Sequence, residues 1–251
     1  MDGKPYLLDG ANWTWSGTGT IPHLLVSHLG YTFFAVLVGF VIAFPLGLLI
    51  GHTGRGSFLA INAGNAGRSL PTLGLLSLLV VLMGLGFTPV LIALVVLVIP
   101  PILTSTYAGL RSVDQNAVDA AKGMGMSSTQ VLFRVELPIA LPVVFGGIRA
   151  AVLQVVATAT VAAYVGGSGL GRLLVDGLAL NDYGQMVAGA VVVAVLAIVL
   201  DLLLGLVQRY AVSPGLTGRG LKRARGTRSV AESGAIPDEE LISAGSSKGT
   251  S

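Results

Sequence analysis

The sequence predicts an all-α integral membrane protein of about five transmembrane helices, and three observations lead there. Of its 251 residues 53% are hydrophobic and 11% charged, whereas soluble domains carry about 25% charged residues. Mean hydropathy is +0.82. The apolar residues gather into runs of about 20, long enough to cross a roughly 30 Å hydrocarbon core as helices. Cysteine is absent, which excludes disulfides, thiol nucleophiles and thiolate metal sites.

Taken in order, residues 1–27 form an N-terminal segment in which no basic stretch leads into an apolar core, so it does not read as a signal peptide. Tyr6, Trp13 and Trp15 suit a membrane interface. Five candidate spans follow: His28 to Ile50, Ser69 to Phe87, Pro89 to Tyr107, Pro138 to Val165 with a break near its outer end, and Gln185 to Gln208. Positive charge near span ends stays on the cytoplasmic side. An external N-terminus puts Arg55, Arg68, Arg111, Lys122 and Arg134 inside, against Lys4 and Arg172 outside, and so predicts an N-out, C-in chain. From 212 to 251 the composition turns to Gly, Ser, Pro and charge, a cytoplasmic tail expected to be disordered. Its basic start, "GRGLKRARGTR", also suits anionic membrane lipid. The pI near 9.4 follows from this topology and calls for no nucleic-acid partner. Pro45, Pro71, Pro100, Pro101 and Pro142 fall within spans, where each removes a backbone donor.

Between the third and fourth spans lies "VDAAKGMGMSSTQVLFRVELP". Asp114 is placed to cap a helix through "QNAVDAAKGM", and Gly123 and Gly125 break it. Ser127 and Gln130 form a capping box that starts a second helix, with Pro138 and Pro142 entering the next span. The loop is therefore expected to be folded and to dock on a surface. Val131, Leu132 and Val135 share one face of the second helix, and Ala117, Ala120 and Ala121 make the first one thin.

Asp119-Ala120-Ala121, then three residues, Gly125, nine residues, Val135, one residue and Leu137-Pro138 resemble the EAA loop, E-A-A-x3-G-x9-I-x-L-P, of permease subunits of binding-protein-dependent ABC importers. Asp119 replaces Glu and Val135 replaces Ile, both keeping the chemistry. The stretches "SLPTLGLLSLLVVLMGLG", "TYAGLRSVD", "TATVAAYVGGSGLG" and "LALND" extend the likeness to about residues 28–213 and to the glycine betaine, carnitine, choline and proline permeases. The resemblance implies a type I importer (MetI-like) permease domain over 28–211 with a cytoplasmic coupling loop at 109–137. It further implies a second permease, identical or homologous, cytoplasmic ATPase subunits and an extracytoplasmic substrate-binding protein. Asp119, Ala120, Ala121, Gly125, Ser127, Gln130, Val135, Leu137 and Pro138 would then carry the contact with the ATPase, with Ala121 and Gly125 at its tightest approach.

No catalytic residue, cofactor or metal is expected in this chain. "GHTGRGS" at 51–57 imitates a phosphate loop but lacks its lysine and a preceding strand, and "VGGSGLG" at 165–171 follows an apolar helix. His23, His28 and His52 are scattered in no metal-ligand spacing. A secondary transporter, the rival class, usually carries ionisable residues in its spans. Gln154, Thr158, Thr160 and Tyr164 on the fourth span either line a pathway or bond between helices. At 6% aromatic residues with none clustered, the spans hold no cage for a quaternary ammonium, so selection is expected of the binding protein, and another small polar solute is the alternative cargo. The binding protein is expected on the outer segments Gly84 to Thr88 and Gly167 to Gln185, including Asn181 and Asp182. Arg149 and Asp201 are the charges inside spans. Arg149 lies 11 residues past Pro138 and Asp201 8 before Arg209, depths of about 16 and 12 Å that would let them pair.

Overall fold

The structure, a computed structural model, describes residues 5–212, and every regular element among them is helical. The tail, apart from Val212, lies outside the described residues. Helix α1 (Ile21–Thr53) opens with a proline in its first turn, where no intrahelical donor is needed, and ends at Gly54 in the left-handed conformation. Helices α2 (Ser57–Ser69) and α3 (Thr72–Met83) meet at 93°. Pro71 sets that bend: it lacks an N–H and holds Leu70 extended, at φ −69° and ψ 121°. The second span expected over Ser69 to Phe87, with Pro71 inside it, is a bent pair that begins earlier, since α3 alone, at 12 residues, covers only about 18 Å.

Helix α4 (Phe87–Arg111) is the axis of the bundle, and α1, α2, α3 and the later α7 pack around it. Small residues make the contacts close. A Cβ added to Gly39, Gly47 or Gly51 of α1 would stand 2.5, 2.6 and 2.8 Å from Val98, Thr106 and Leu110. On Gly67 of α2 it would stand 2.5 Å from Pro100, and on Gly64 2.7 Å from Thr104. Without an aqueous hydrophobic effect between helices in lipid, such backbone approach is what dispersion needs.

Two short helices, α5 (Gln115–Gly123) and α6 (Ser128–Val131), fill the loop after α4. A π-helical turn, Leu132–Glu136, leads into α7 (Leu137–Val161), and a 3-10 turn, Ala162–Val165, follows. The second loop helix therefore does not stop before the fourth span; one helix runs over Ser128–Val165. Pro138 cannot donate to the carbonyl four residues back, and the wider i→i+5 turn just ahead of it absorbs that loss.

Beyond Gly166, at φ 81°, a helix that sequence inspection missed, α8 (Gly171–Leu180), precedes α9 (Tyr183–Ala211) and packs on it. Ile21, Leu24, Leu170 and Leu173 form a small core there, with Tyr6 and Leu7 against it. This core and the α5–α6 loop lie at opposite ends of α1. Among the described residues, none of the apolar window of α9 is buried, as suits a helix that faces lipid or another subunit.

Candidate functional site

The α5–α6 loop carries its own hydrophobic core. Asp114 caps α5, its carboxylate accepting from the Asn116 amide at 3.0 Å. At Gly125, φ is 84°, a conformation costly for residues with a Cβ, and the chain turns there into α6. The Ser127 amide donates to the Gln130 Oε1 at 2.8 Å while the Ser127 hydroxyl accepts from the Gln130 amide at 3.4 Å, closing a capping box. Val113, Val118, Ala121 and Val131 are buried together, with Met126, Val135 and Ile139 packed on them.

That core divides the residues expected to meet an ATPase. Asp119, Ala120, Gly125, Ser127 and Gln130 are exposed. Ala121 is 2% exposed and Val135 is turned into the same core, so both shape the loop from inside, and Ala121 offers no surface to a partner. Leu132 and Leu137 pack elsewhere, against Leu48, Leu110, Ala140 and Val144, with Pro138 half-buried beside them. The face expected of Val131, Leu132 and Val135 is therefore spent on the chain's own packing. Lys122 and Asp119, 3.8 Å apart and both exposed, contribute little as an ion pair.

Sequence inspection missed a polar cluster at the root of the loop. His52, in the last turn of α1, places Nδ1 2.5 Å from Glu136 Oε2 and Nε2 2.6 Å from Ser128 Oγ. The three are separated by as many as 84 positions in the chain, and no spacing rule joins them.

Within the bundle, Arg149 of α7 donates from Nε and Nη2 to both carboxylate oxygens of Asp201 on α9. Gln208 donates to the Pro142 carbonyl at 3.1 Å, a second polar tie between these helices. The four pathway candidates differ in burial. Thr158 is buried, Thr160 donates to the Val156 carbonyl of its own helix at 3.1 Å, Gln154 is half-buried and Tyr164 is exposed. None of them lines either of two cavities: an apolar groove of about 510 Å³ between α1, α7 and α9, and a polar one of about 290 Å³ between Thr18–Gly19, Gly166–Ser168 and the Arg172–Asp176 pair. At the α8 end, burial lifts the Tyr6 phenol above its ordinary value, and Asp182, Asp176 and Asp9 add repulsion.

Apolar helices packed around one axis and broken by a capped loop with its own core are what a transport permease requires. The chain belongs to the family of binding-protein-dependent transport system inner membrane components, whose model matches residues 43–212. It is 35% identical to a glycine betaine/carnitine/choline transport system permease protein of Bacillus subtilis over 191 residues, 76% of this chain and 88% of that one. An osmoprotectant import permease protein of Salmonella typhimurium is 41% identical over 174 residues, 68% of this chain and 72% of its own. Among solved structures, an inward-facing methionine ABC transporter matches with a TM-score of 0.68 at 22% identity, covering 77% of this chain and 96% of that one, which establishes the fold. The protein is thus a multi-pass inner-membrane permease subunit of an ABC importer. Membership implies ATPase and binding-protein partners and a membrane component without catalysis of its own.

Proposed function

We propose that this permease imports a compatible solute of the glycine betaine, carnitine, choline or proline kind, and that its α5–α6 loop is the contact through which separate cytoplasmic ATPases drive it. The observation that carries the second part is the loop itself: capped at Asp114 and Ser127, cored by Val118, Ala121 and Val131, and exposing Asp119, Ala120 and Gly125. A loop that keeps its shape without a partner can transmit displacement. The distribution of Lys and Arg supports an external N-terminus and an internal loop, and with it a binding protein over α8 and the Gly84–Thr88 turn. A second permease subunit completes the pore, and the names of the relatives support the solute class.

Ala120→Trp in the full transporter tests the docking. Ala120 is exposed, so the indole leaves the loop's core intact while crowding a partner, and added volume in a packed contact costs about 1–3 kcal/mol. Membrane abundance should hold while ATPase co-purification and ATP-dependent uptake fall about tenfold. Normal uptake and normal ATPase binding would refute the docking. Uptake of labelled glycine betaine, choline, carnitine and proline by the unmodified complex identifies the solute.

A further inference from the structure

We infer that His52 is a positioning residue for transport: it clasps the C-terminal end of α1 to the α5–α6 loop through Ser128 and Glu136, so that displacement of the loop reaches α1 as well as α7. The inference rests on the loop being the ATPase contact.

Nδ1 of His52 faces a carboxylate at 2.5 Å, so its N–H donates to Glu136. Nε2, 2.6 Å from Ser128 Oγ, accepts the hydroxyl proton when the ring is neutral and donates when it is protonated. The ring is held at both edges in either state. Glu136 is only 7% exposed, and acids are almost never buried unpaired. His52 is the partner the structure gives it.

The helix geometry brings the two anchors onto one face. Glu136 follows Ser128 by eight residues, which at about 100° per residue would set it about 80° around a regular α-helix. The π-helical turn at Leu132–Glu136 widens the coil, so each of its residues advances by less, and Glu136 swings back toward Ser128. Side chains on a helix also lean toward its N-terminus, which carries the Glu136 carboxylate back along the axis to the imidazole. A rare turn type thus sits at the place where alignment of these two residues requires it.

Among the described residues, the other ties of α1 near the loop are apolar. Its inner half packs on α4 and α7, and Leu48, one turn before His52, touches the cluster that holds Leu132 and Leu137. Serine, histidine and glutamate in this order are also the parts of a hydrolytic triad. Ser128 is exposed and lines neither of the two cavities described above.

The test uses the complete transporter, with ATPase, second permease and binding protein, in proteoliposomes. His52→Leu and Ser128→Ala are compared with His52→Asn, whose amide keeps the arm to Glu136; Ser128→Ala strands no buried charge, and His52→Leu combined with Glu136→Gln removes that hazard from the leucine variant. At unchanged abundance and ATPase co-purification, His52→Leu should lower solute moved per ATP hydrolysed about tenfold, the scale of one charge-assisted hydrogen bond. His52→Asn should stay within about threefold, and the double variant should be no worse than His52→Leu. Because the chain has no cysteine, Thr53→Cys and Thr129→Cys accept spin labels alone, and their distance distribution should be narrow in the parent and broad with His52→Leu, ATPase absent. A distribution that stays narrow overturns the clasp. Broadening with solute per ATP unchanged overturns its role in transport, whereas the docking itself stands or falls with Ala120→Trp.

Discussion

Gly147→Ala should loosen the bundle at its axis, whereas the same change one residue earlier should not. A Cβ on Gly147 would lie 2.2 Å from Ser105 Cβ, 1.7 Å from its hydroxyl and 3.1 Å from the Pro101 carbonyl. Carbon atoms in ordinary contact sit about 3.5–4.0 Å apart, so α7 and α4 must part by over 1 Å. Rotating the Ser105 hydroxyl away would break its bond to the Ile102 carbonyl and would not move Ser105 Cβ. Overpacking of this kind costs about 1–3 kcal/mol. For a chain of this size that lowers the melting temperature by about 2–4 °C per kcal/mol, or about 2–12 °C. Nothing lies within 4 Å of a Cβ on Gly146, and there alanine, the better helix former, should hold or raise stability. Thermal unfolding of the purified permease, with membrane abundance alongside, reads the difference. Ser105→Gly removes both clashing atoms and should restore Gly147→Ala. Equal melting of the Gly146→Ala and Gly147→Ala variants would show that α4 and α7 do not meet as described.

Two further outcomes follow from the same geometry. Asp201→Asn or Arg149→Gln alone should reduce membrane abundance and melting temperature, and the double variant should lose less than the two singles together, since neither charge is then left without its partner; singles that simply add would show that the pair does not act as one. Ser127→Ala, which removes the cap of α6, should cost about 0.5–2 kcal/mol locally. That loss should appear as faster amide exchange over 128–131, and unchanged exchange would mean that the capping box does not hold the loop.

Much of the loop was legible because capping is local chemistry. Asp114, Gly125, Ser127 and Gln130 act on backbone groups two or three positions away, and the structure uses each where spacing puts it. What those helices pack against was not legible. Ala121 and Val131 could face a partner or each other, and only tertiary contact decides between them. The lost donor at Pro71 was legible but the size of the bend at the start of Ser69 to Phe87 was not, because a proline in an apolar run is compatible with a kink of any angle until its neighbours pack. Helix α8 was hidden for a similar reason: ten amphipathic residues between glycine and asparagine look like a polar outer segment until α9 supplies the surface for their apolar face. His52 carried no signal at all. An isolated histidine at a span end becomes informative only once Ser128 and Glu136 are beside it.

These contacts determine where the bundle yields. The loop is joined by backbone to α4 and α7 and by His52 to α1, and those three helices are locked along their length at Gly39, Gly47 and Gly51, at Gly109 against Ala140, and at Gly147. A push on the loop would thus be carried to α4 and α7 by the backbone and to the loop end of α1 by His52, while the close glycine contacts resist sliding of α1 or α7 along α4. Compliance lies elsewhere. Gly84, Gly86, Gly166 and Gly169 all take positive φ at the end of the bundle opposite the loop, and Leu85 rests against Gly166 there. Element ends built of small residues are where hinge rotation is absorbed. A closely packed block driven from one end, with its glycine turns collected at the other, would turn a small displacement of the α5–α6 loop into a rearrangement of the α8 end, the face proposed to meet the binding protein.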